Sequence, residues 1–386
     1  MEIRGIDHIE MYVGDARQAA FYFGTAVGFE LRGMGGPETG LTGQRSLLLR
    51  QGDIDMVLTS GLTGSHPASE YVQRHGDGVA VIALQVDDAA AAYAELVSRG
   101  ADSVSPPAAH TGVGVTVVTA AVGGIGDVVH RLVERHGPCD EFLPGAVEMI
   151  PPAPVSGAVA GAAVGSVAVA GAAAEGAALA GAKLLCEIDH LAICVPPGEL
   201  ASTASRYREV FGFEEIFTER IEVAGQAMAS TVVQSPSKQV TLVLLEPDQT
   251  RRPGQIDEFL RSHAGAGVQH LALRTDDIVT AVSALQARGV RFLSSPVTYY
   301  DSLEKRVGHL DAPIDRLRDL GVLVDRDHWG QLLQIFTESM HVRRTLFLEV
   351  IERRGALTFG SGNVKALYEA KERELAAAAV PQTAGA

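Results

Sequence analysis

The chain repeats itself, and this constrains its fold more than any single motif does. "IDHIEMYV" at 6–13 returns as "IDHLAICV" at 188–195, and "VGFEL" at 27–31 returns as "FGFEE" at 211–215. "GVAVIALQVDD" at 78–88 returns as "GVQHLALRTDD" at 267–277. The offset between copies is nearly constant across the three pairs, which marks a tandem duplication rather than chance matches. Each copy opens on an alternating apolar strand; in the second, Ile188, His190, Ala192 and Cys194 are expected on one face. An amphipathic helix follows, "ELASTASRYREVF" in the second copy and "ARQAAFYFGTAV" in the first. Apolar strands come next, then a second strand–helix unit whose paired aspartates can cap the helix and meet its dipole. The order is βαβββ, repeated. It predicts an α+β fold of tandem duplicated βαβββ modules in two domains.

Composition sets outer bounds. With 386 residues the chain is long enough for two domains with real cores, and 46% apolar with 20% charged residues is a globular composition. A net charge of −15 argues against a nucleic-acid partner, which needs clustered Lys and Arg. Cys139, Cys186 and Cys194 have no C-x-x-C spacing and imply no disulfide framework, so a cytoplasmic location is expected. The start "MEIRGIDHIEMYV" has no basic region leading into a long apolar run, so no secretory signal is expected. Residues 155–182 are almost all Ala, Gly and Val. Such a segment lacks the transfer energy, aromatic belt and basic flanks of a membrane span, and it reads as an inter-domain linker. The expected division is an N-terminal domain at 1–152, a linker at 153–185, a C-terminal domain at 186–375 and a disordered tail at 376–386.

The two copies differ where chemistry is concerned. His270 in the later "GVQHLALRTDD" stands opposite Val81 in the earlier copy. Within the second copy His190, His270 and Glu349 lie on three separate apolar strands, two of them beside small residues (Ala192, Cys194 and Ala272). Glu349 shares its strand face with Phe347 and Ile351, where an ionised carboxylate is costly without a partner. Two imidazoles and a carboxylate make a facial triad with open positions, typical of non-haem Fe(II). The pattern alone leaves a second reading open, since strand histidines are usually satisfied core residues and a glutamate can turn outward at a sheet edge. His8 is the mate of His190 but has no partner at Val81, and it reads as a vestige. His263, His309, His328 and His341 stand in polar contexts that predict loops or surface. No Ser-His-Asp arrangement, dinucleotide fingerprint or P-loop is apparent.

"IDHLAICV", "AGVQHLALRTDDIV", "LVDRDHWGQLLQIFT", "TLFLEVIERRG" and "FGSGNVKALYEAKERE" resemble the 4-hydroxyphenylpyruvate dioxygenase family of the vicinal oxygen chelate superfamily. The resemblance is dense over 186–375 and weaker but collinear over 3–150. It implies open barrel-like sheets, a C-terminal helix capping the pocket and a homo-oligomer, a dimer. By resemblance His190, His270 and Glu349 bind Fe(II). Ser230, Gln255, Gln269, Gln334, Phe336 and Asn363 serve the substrate, with Phe347 and Phe359 in the pocket wall. The implied substrates are 4-hydroxyphenylpyruvate, whose keto acid chelates the metal, and O2; no nucleic acid or membrane is involved. One branch of the family attacks the ring and releases homogentisate, and the other hydroxylates the benzylic carbon to give 4-hydroxymandelate. This chain departs from the ring-attacking pattern "P-I-N-E-P" with "VLLEP", placing Val243 and Leu245 where Pro and Asn stand, and it has Val364 in place of a phenylalanine. These changes resemble the hydroxymandelate branch. The homogentisate-forming reaction is the alternative, and a ligand-sequestering protein of the superfamily is the other.

Overall fold

Two sheets carry the duplication, each from one half of the chain. The first is built from β1 (Ile3–Tyr12), β2 (Glu30–Gly35), β3 (Gln44–Gln51), β4 (Ile54–Gly61), β5 (Gly78–Val86), β6 (Ser103–Thr111), β7 (Thr116–Gly123), β8 (Val129–His136) and the short β9 (Glu148–Met149). The second is built from β10 (Glu187–Cys194), β11 (Glu214–Val223), β12 (Gln226–Gln234), β13 (Thr241–Pro247), β14 (Gly267–Arg274), β15 (Leu323–Arg326), β16 (Gln331–Phe336) and β17 (Phe347–Arg354). The computed structural model describes residues 1–151 and 183–365, apart from 139, 140, 224, 296, 302, 311, 361 and 364. The Ala/Gly segment 155–182, Val364, nearly all of the expected capping helix and the tail 376–386 therefore lie outside the described residues. Among the described residues no helix is long and apolar enough to cross a membrane.

Strand order shows that each half holds two βαβββ modules. The orders are β6-β7-β8-β5-β1-β4-β3-β2-β9 and β11-β12-β13-β10-β14-β17-β16-β15. Each is symmetric about a central antiparallel pair, β1 with β5 and β10 with β14. The opening strand of each module pairs in parallel with its closing strand: β1 with β4, β5 with β8, β10 with β13 and β14 with β17. Each sheet curls into a half-barrel. The helices are α1 (Ala16–Tyr22), α2 (Pro67–His75), α3 (Ala89–Ser98), α4 (Leu200–Glu209), α5 (Gln255–His263) and α6 (Ile278–Ala287), with short helices between 297 and 320. The paired aspartates do cap helices: Asp88 Oδ1 accepts from Ala91 N at 2.8 Å, and Asp277 Oδ1 accepts from Thr280 N at 3.0 Å.

One continuous apolar core runs behind both sheets and takes in the inner faces of α1, α3, α4 and α6. It includes Leu184 and Leu185, and Leu185 N donates to Gln51 Oε1 at 3.0 Å, so the second half packs against the first from residue 184 onward. The strand face expected to hold Ile188 with His190 is corrected by the register. β10 shifts between Ile188 and His190, leaving Asp189 as an extra residue. A bulge of this kind turns the following residues over. Ile188 therefore joins Leu191 and Ile193 in the main core, while Ala192 and Cys194 face the concave side.

His263 is a second correction: it is buried, not on a loop or surface. It ends α5, where its ring stacks on Phe259 (4.9 Å) and on His75 of α2 (4.3 Å), tying the two halves together. His75 Nδ1 lies 2.5 Å from the His263 carbonyl oxygen, and its Nε2 lies 2.8 Å from Asp127. His309 and His328 are exposed and His341 is half-buried. Burial, with His75 alongside, pushes His263 down to about 4. An unfolded histidine takes its proton near pH 6.5, so between the two values His263 adds one proton to the unfolded chain, as does His130, which burial also lowers to about 4. Stability should therefore fall as the pH drops from about 6.5 towards 4. His263→Phe keeps a ring in the stack and should lower the slope of denaturation midpoints across that range by one proton. An unchanged slope would locate the titration elsewhere.

Candidate metal centre

The bulges that reset the strands also build the site. On β10 the extra residue is Asp189, so Asp189 and His190 both serve the concave side; on β14 the shift falls at Gln269, so Gln269 and His270 both line the cavity. β17 runs parallel to β14 with Ala272 opposite Glu349, which brings the carboxylate to the two imidazoles. His190 Nε2 and His270 Nε2 each lie 3.5 Å from Glu349 Oε2, and the three donor atoms fall within 4.8 Å of one another. All three residues are buried.

Outer contacts fix these three side chains. Asp189 Oδ1 lies 2.8 Å from His190 Nδ1, which leaves Nε2 facing the cavity. Arg353 holds Asp189 with two hydrogen bonds, Nε to Oδ2 at 2.6 Å and Nη2 to Oδ1 at 2.8 Å. The His270 ring stacks on Phe347 at 4.8 Å. On the other side of Glu349, Gln334 Nε2 donates to Oε1 at 3.0 Å, Asn363 Nδ2 donates to Gln334 Oε1 at 3.1 Å, and Tyr299 Oη donates to Asn363 Oδ1 at 2.8 Å. The Asn363 amide is oriented by Gln334, which must give its NH2 to the carboxylate; turning Asn363 over would set two amide oxygens 3.1 Å apart.

Burial pushes the Glu349 carboxyl up, but hydrogen bonds and charge from His190 and His270 outweigh it and hold it below its usual range. His190 shows the complementary balance: burial lowers it, while Asp189 and Glu349 raise it to about 9. The buried carboxylate thus draws a proton onto His190. A divalent cation supplies that positive charge instead. Two neutral imidazole nitrogens and one carboxylate oxygen, converging from three strands with their outer atoms already held, fit such an ion and leave part of its coordination sphere open.

The cavity around the triad is also lined by Met228, Val243, Leu245, Gln255, Gln269, Gln334, Phe336, Ile351 and Phe359. Of the residues expected from sequence, Ser230, Phe347 and Asn363 sit behind this lining. Ser230 Oγ turns to the Glu219 carbonyl at 3.4 Å, Phe347 backs His270, and Asn363 reaches the site only through Gln334. Val364 lies outside the described residues. Met228 was missed, although strand alternation from Ser230 could have found it; Ile351, expected on the face of Glu349, does line the cavity. Asp189, Arg353 and Tyr299 were missed because their contacts cross between distant segments and leave no local signal.

Residues 2–143 match the model described as hydroxyphenylpyruvate dioxygenase, N-terminal, and residues 187–335 match the glyoxalase/bleomycin resistance protein/dioxygenase superfamily. The 4-hydroxyphenylpyruvate dioxygenase of Coccidioides posadasii is 33% identical, over 97% of this chain and 94% of its own. That of Dictyostelium discoideum is 33% identical, over 96% of this chain and 98% of its own. Among solved structures, a triple mutant of 4-hydroxymandelate synthase from Streptomyces coelicolor superposes with a TM-score of 0.83 at 38% identity, covering 97% of this chain and 100% of that one. Matched from end to end in both sequence and fold, the chain belongs to the 4-hydroxyphenylpyruvate dioxygenase and hydroxymandelate synthase family of iron-dependent dioxygenases.

Proposed function

We propose that this protein is an Fe(II)-dependent 4-hydroxymandelate synthase, converting 4-hydroxyphenylpyruvate and O2 to 4-hydroxymandelate and CO2. The observation that carries the product assignment is the apolar wall at Val243 and Leu245, which lines the cavity without an amide to hold the substrate ring. When bound at His190, His270 and Glu349, Fe(II) would supply the redox chemistry between the keto acid and O2.

The chain's own residues do the rest. Asp189 holds His190 in the tautomer that offers Nε2. Gln255, Gln269 and Gln334 are the amides of the cavity, available to orient a carboxylate, a keto oxygen and a phenol. Gln334 also shields one oxygen of Glu349, leaving the other for the metal. Phe336 and Phe359 give the flat apolar surfaces that an aromatic ring needs. Met228 and Ile351 add apolar surface to the cavity wall. Ring placement decides the product, because the benzylic carbon and the ring carbon compete for one oxidant and reactive geometry is demanding. A cytoplasmic homodimer acting on small molecules alone goes with this reading.

The second reading, formation of homogentisate, is favoured by the names of the curated relatives. Product identification separates the two. Purified protein with Fe(II), ascorbate, O2 and 4-hydroxyphenylpyruvate should yield 4-hydroxymandelate, read by mass spectrometry and NMR. Homogentisate as the main product would install the second reading. Tight binding of the keto acid without oxygen uptake would point instead to sequestration.

A further inference from the structure

The N-terminal half repeats the outer frame of the metal centre residue for residue. His8 Nδ1 lies 2.6 Å from Asp7 Oδ1, as His190 lies from Asp189. Arg135 holds Asp7 through Nε at 2.7 Å and Nη2 at 2.8 Å, as Arg353 holds Asp189. Phe142 packs edge-on against His8 at 4.9 Å, as Phe359 packs against His190 at 5.2 Å. Even the bulge is kept, with β1 shifting between Ile6 and His8. The apparatus that aims a ligating imidazole is complete in a half that lacks the other two ligands.

The register shows what replaced them. Val81 pairs with Val129 and Ala83 with Arg131, where the second half pairs His270 with Phe347 and Ala272 with Glu349. Arg131 therefore stands at the place of Glu349. Its Nη1 lies 3.3 Å from His8 Nε2 and 2.8 Å from Glu10 Oε2. Glu10 is buried two residues along β1 from His8 and takes a hydrogen bond from Thr59 Oγ1 at 2.7 Å. The carboxylate has moved from the closing strand to the opening strand, and a cation has come to the closing strand.

We propose that the concave face of the N-terminal half is a second cation site whose occupant is the chain's own guanidinium, Arg131, held by His8 and Glu10 where the other half would hold a metal. Removing that side chain leaves an imidazole nitrogen, a buried carboxylate and the Thr59 hydroxyl facing a gap, a donor set for a divalent transition cation. The gap is reachable, since the Arg131 side chain keeps 31% of its surface exposed.

The test compares full-length variants, stripped with chelator and titrated with Co2+ by equilibrium dialysis. Arg131→Ala should bind one more Co2+ per chain than the unaltered protein, and Arg131→Ala combined with His8→Ala should lose that extra ion. Arg131→Lys, which retains an internal cation, should gain none. The increment carries the test, so a failure of the C-terminal metal assignment would show separately as no Co2+ on the unaltered chain. Folded Arg131→Ala with no added Co2+ overturns the proposal. Should Arg131→Ala be unfolded in chelator, refolding on Co2+ addition supports the proposal and failure to refold overturns it.

Discussion

Glu349→Ala should abolish stoichiometric Fe(II) binding and reduce oxygen uptake with 4-hydroxyphenylpyruvate by well over about a hundredfold, since outer partners of metal ligands alone typically cost 10–100-fold. The carboxylate is the only anionic donor of the triad, and its Oε2 is the point on which both imidazoles converge at 3.5 Å. Without it, His190 and His270 retain two neutral nitrogens for a doubly charged ion in a buried site. Glu349→Gln separates charge from shape. It keeps the volume and can still meet Gln334, yet it should bind metal nearly as poorly as Glu349→Ala. Metal content by plasma emission spectrometry and oxygen electrode rates read the two effects independently. Turnover near that of the unaltered chain in either variant would remove Glu349 from the metal site. Loss of turnover with metal still bound at one ion per chain would instead assign it to substrate rather than metal.

Much of this site was legible because duplication turns a sequence into its own control. The match of "GVAVIALQVDD" to "GVQHLALRTDD" predicted a strand and a capped helix in both halves, and the mismatch of Val81 with His270 pointed to the half that holds the His190, His270 and Glu349 cluster. Local features such as the Asp88 and Asp277 caps were readable because the cap and its helix are neighbours in sequence. Simple alternation failed at Asp189 and Gln269, since a bulge adds one residue without changing composition and so reverses the faces on either side of it. His263 looked like a surface residue because Arg261 and Ser262 precede it; its burial comes from α2, far away in sequence. Arg131 was invisible for the same reason. "HRLVERH" reads as a strand with an ordinary charged rim, and only the pairing of β5 with β8 puts the guanidinium where Glu349 stands in the other half.

Leu245→Asn should move the product from 4-hydroxymandelate towards homogentisate, and it tests the branch assignment at one side chain. Leu245 is buried, lines the cavity and pairs across the sheet with Ser230. Replacing it with an amide of similar reach places a donor and an acceptor beside the Ser230 hydroxyl, so the new group need not be left unsatisfied. One added hydrogen bond to the ring hydroxyl or its ordered water is worth about 0.5–1.5 kcal/mol, a change of about twofold to about tenfold in the ratio of the two products. Val243→Pro is a poorer test, because β13 is an internal strand paired to both β10 and β12, where proline removes a ladder hydrogen bond. Val364→Phe, which restores the phenylalanine of the ring-attacking pattern, should act in the same direction. The ratio is read by chromatography at complete conversion, with oxygen consumption confirming that turnover persists. If Leu245→Asn turns over and the ratio does not change, the apolar wall does not choose the product, and the assignment loses the observation on which it rests.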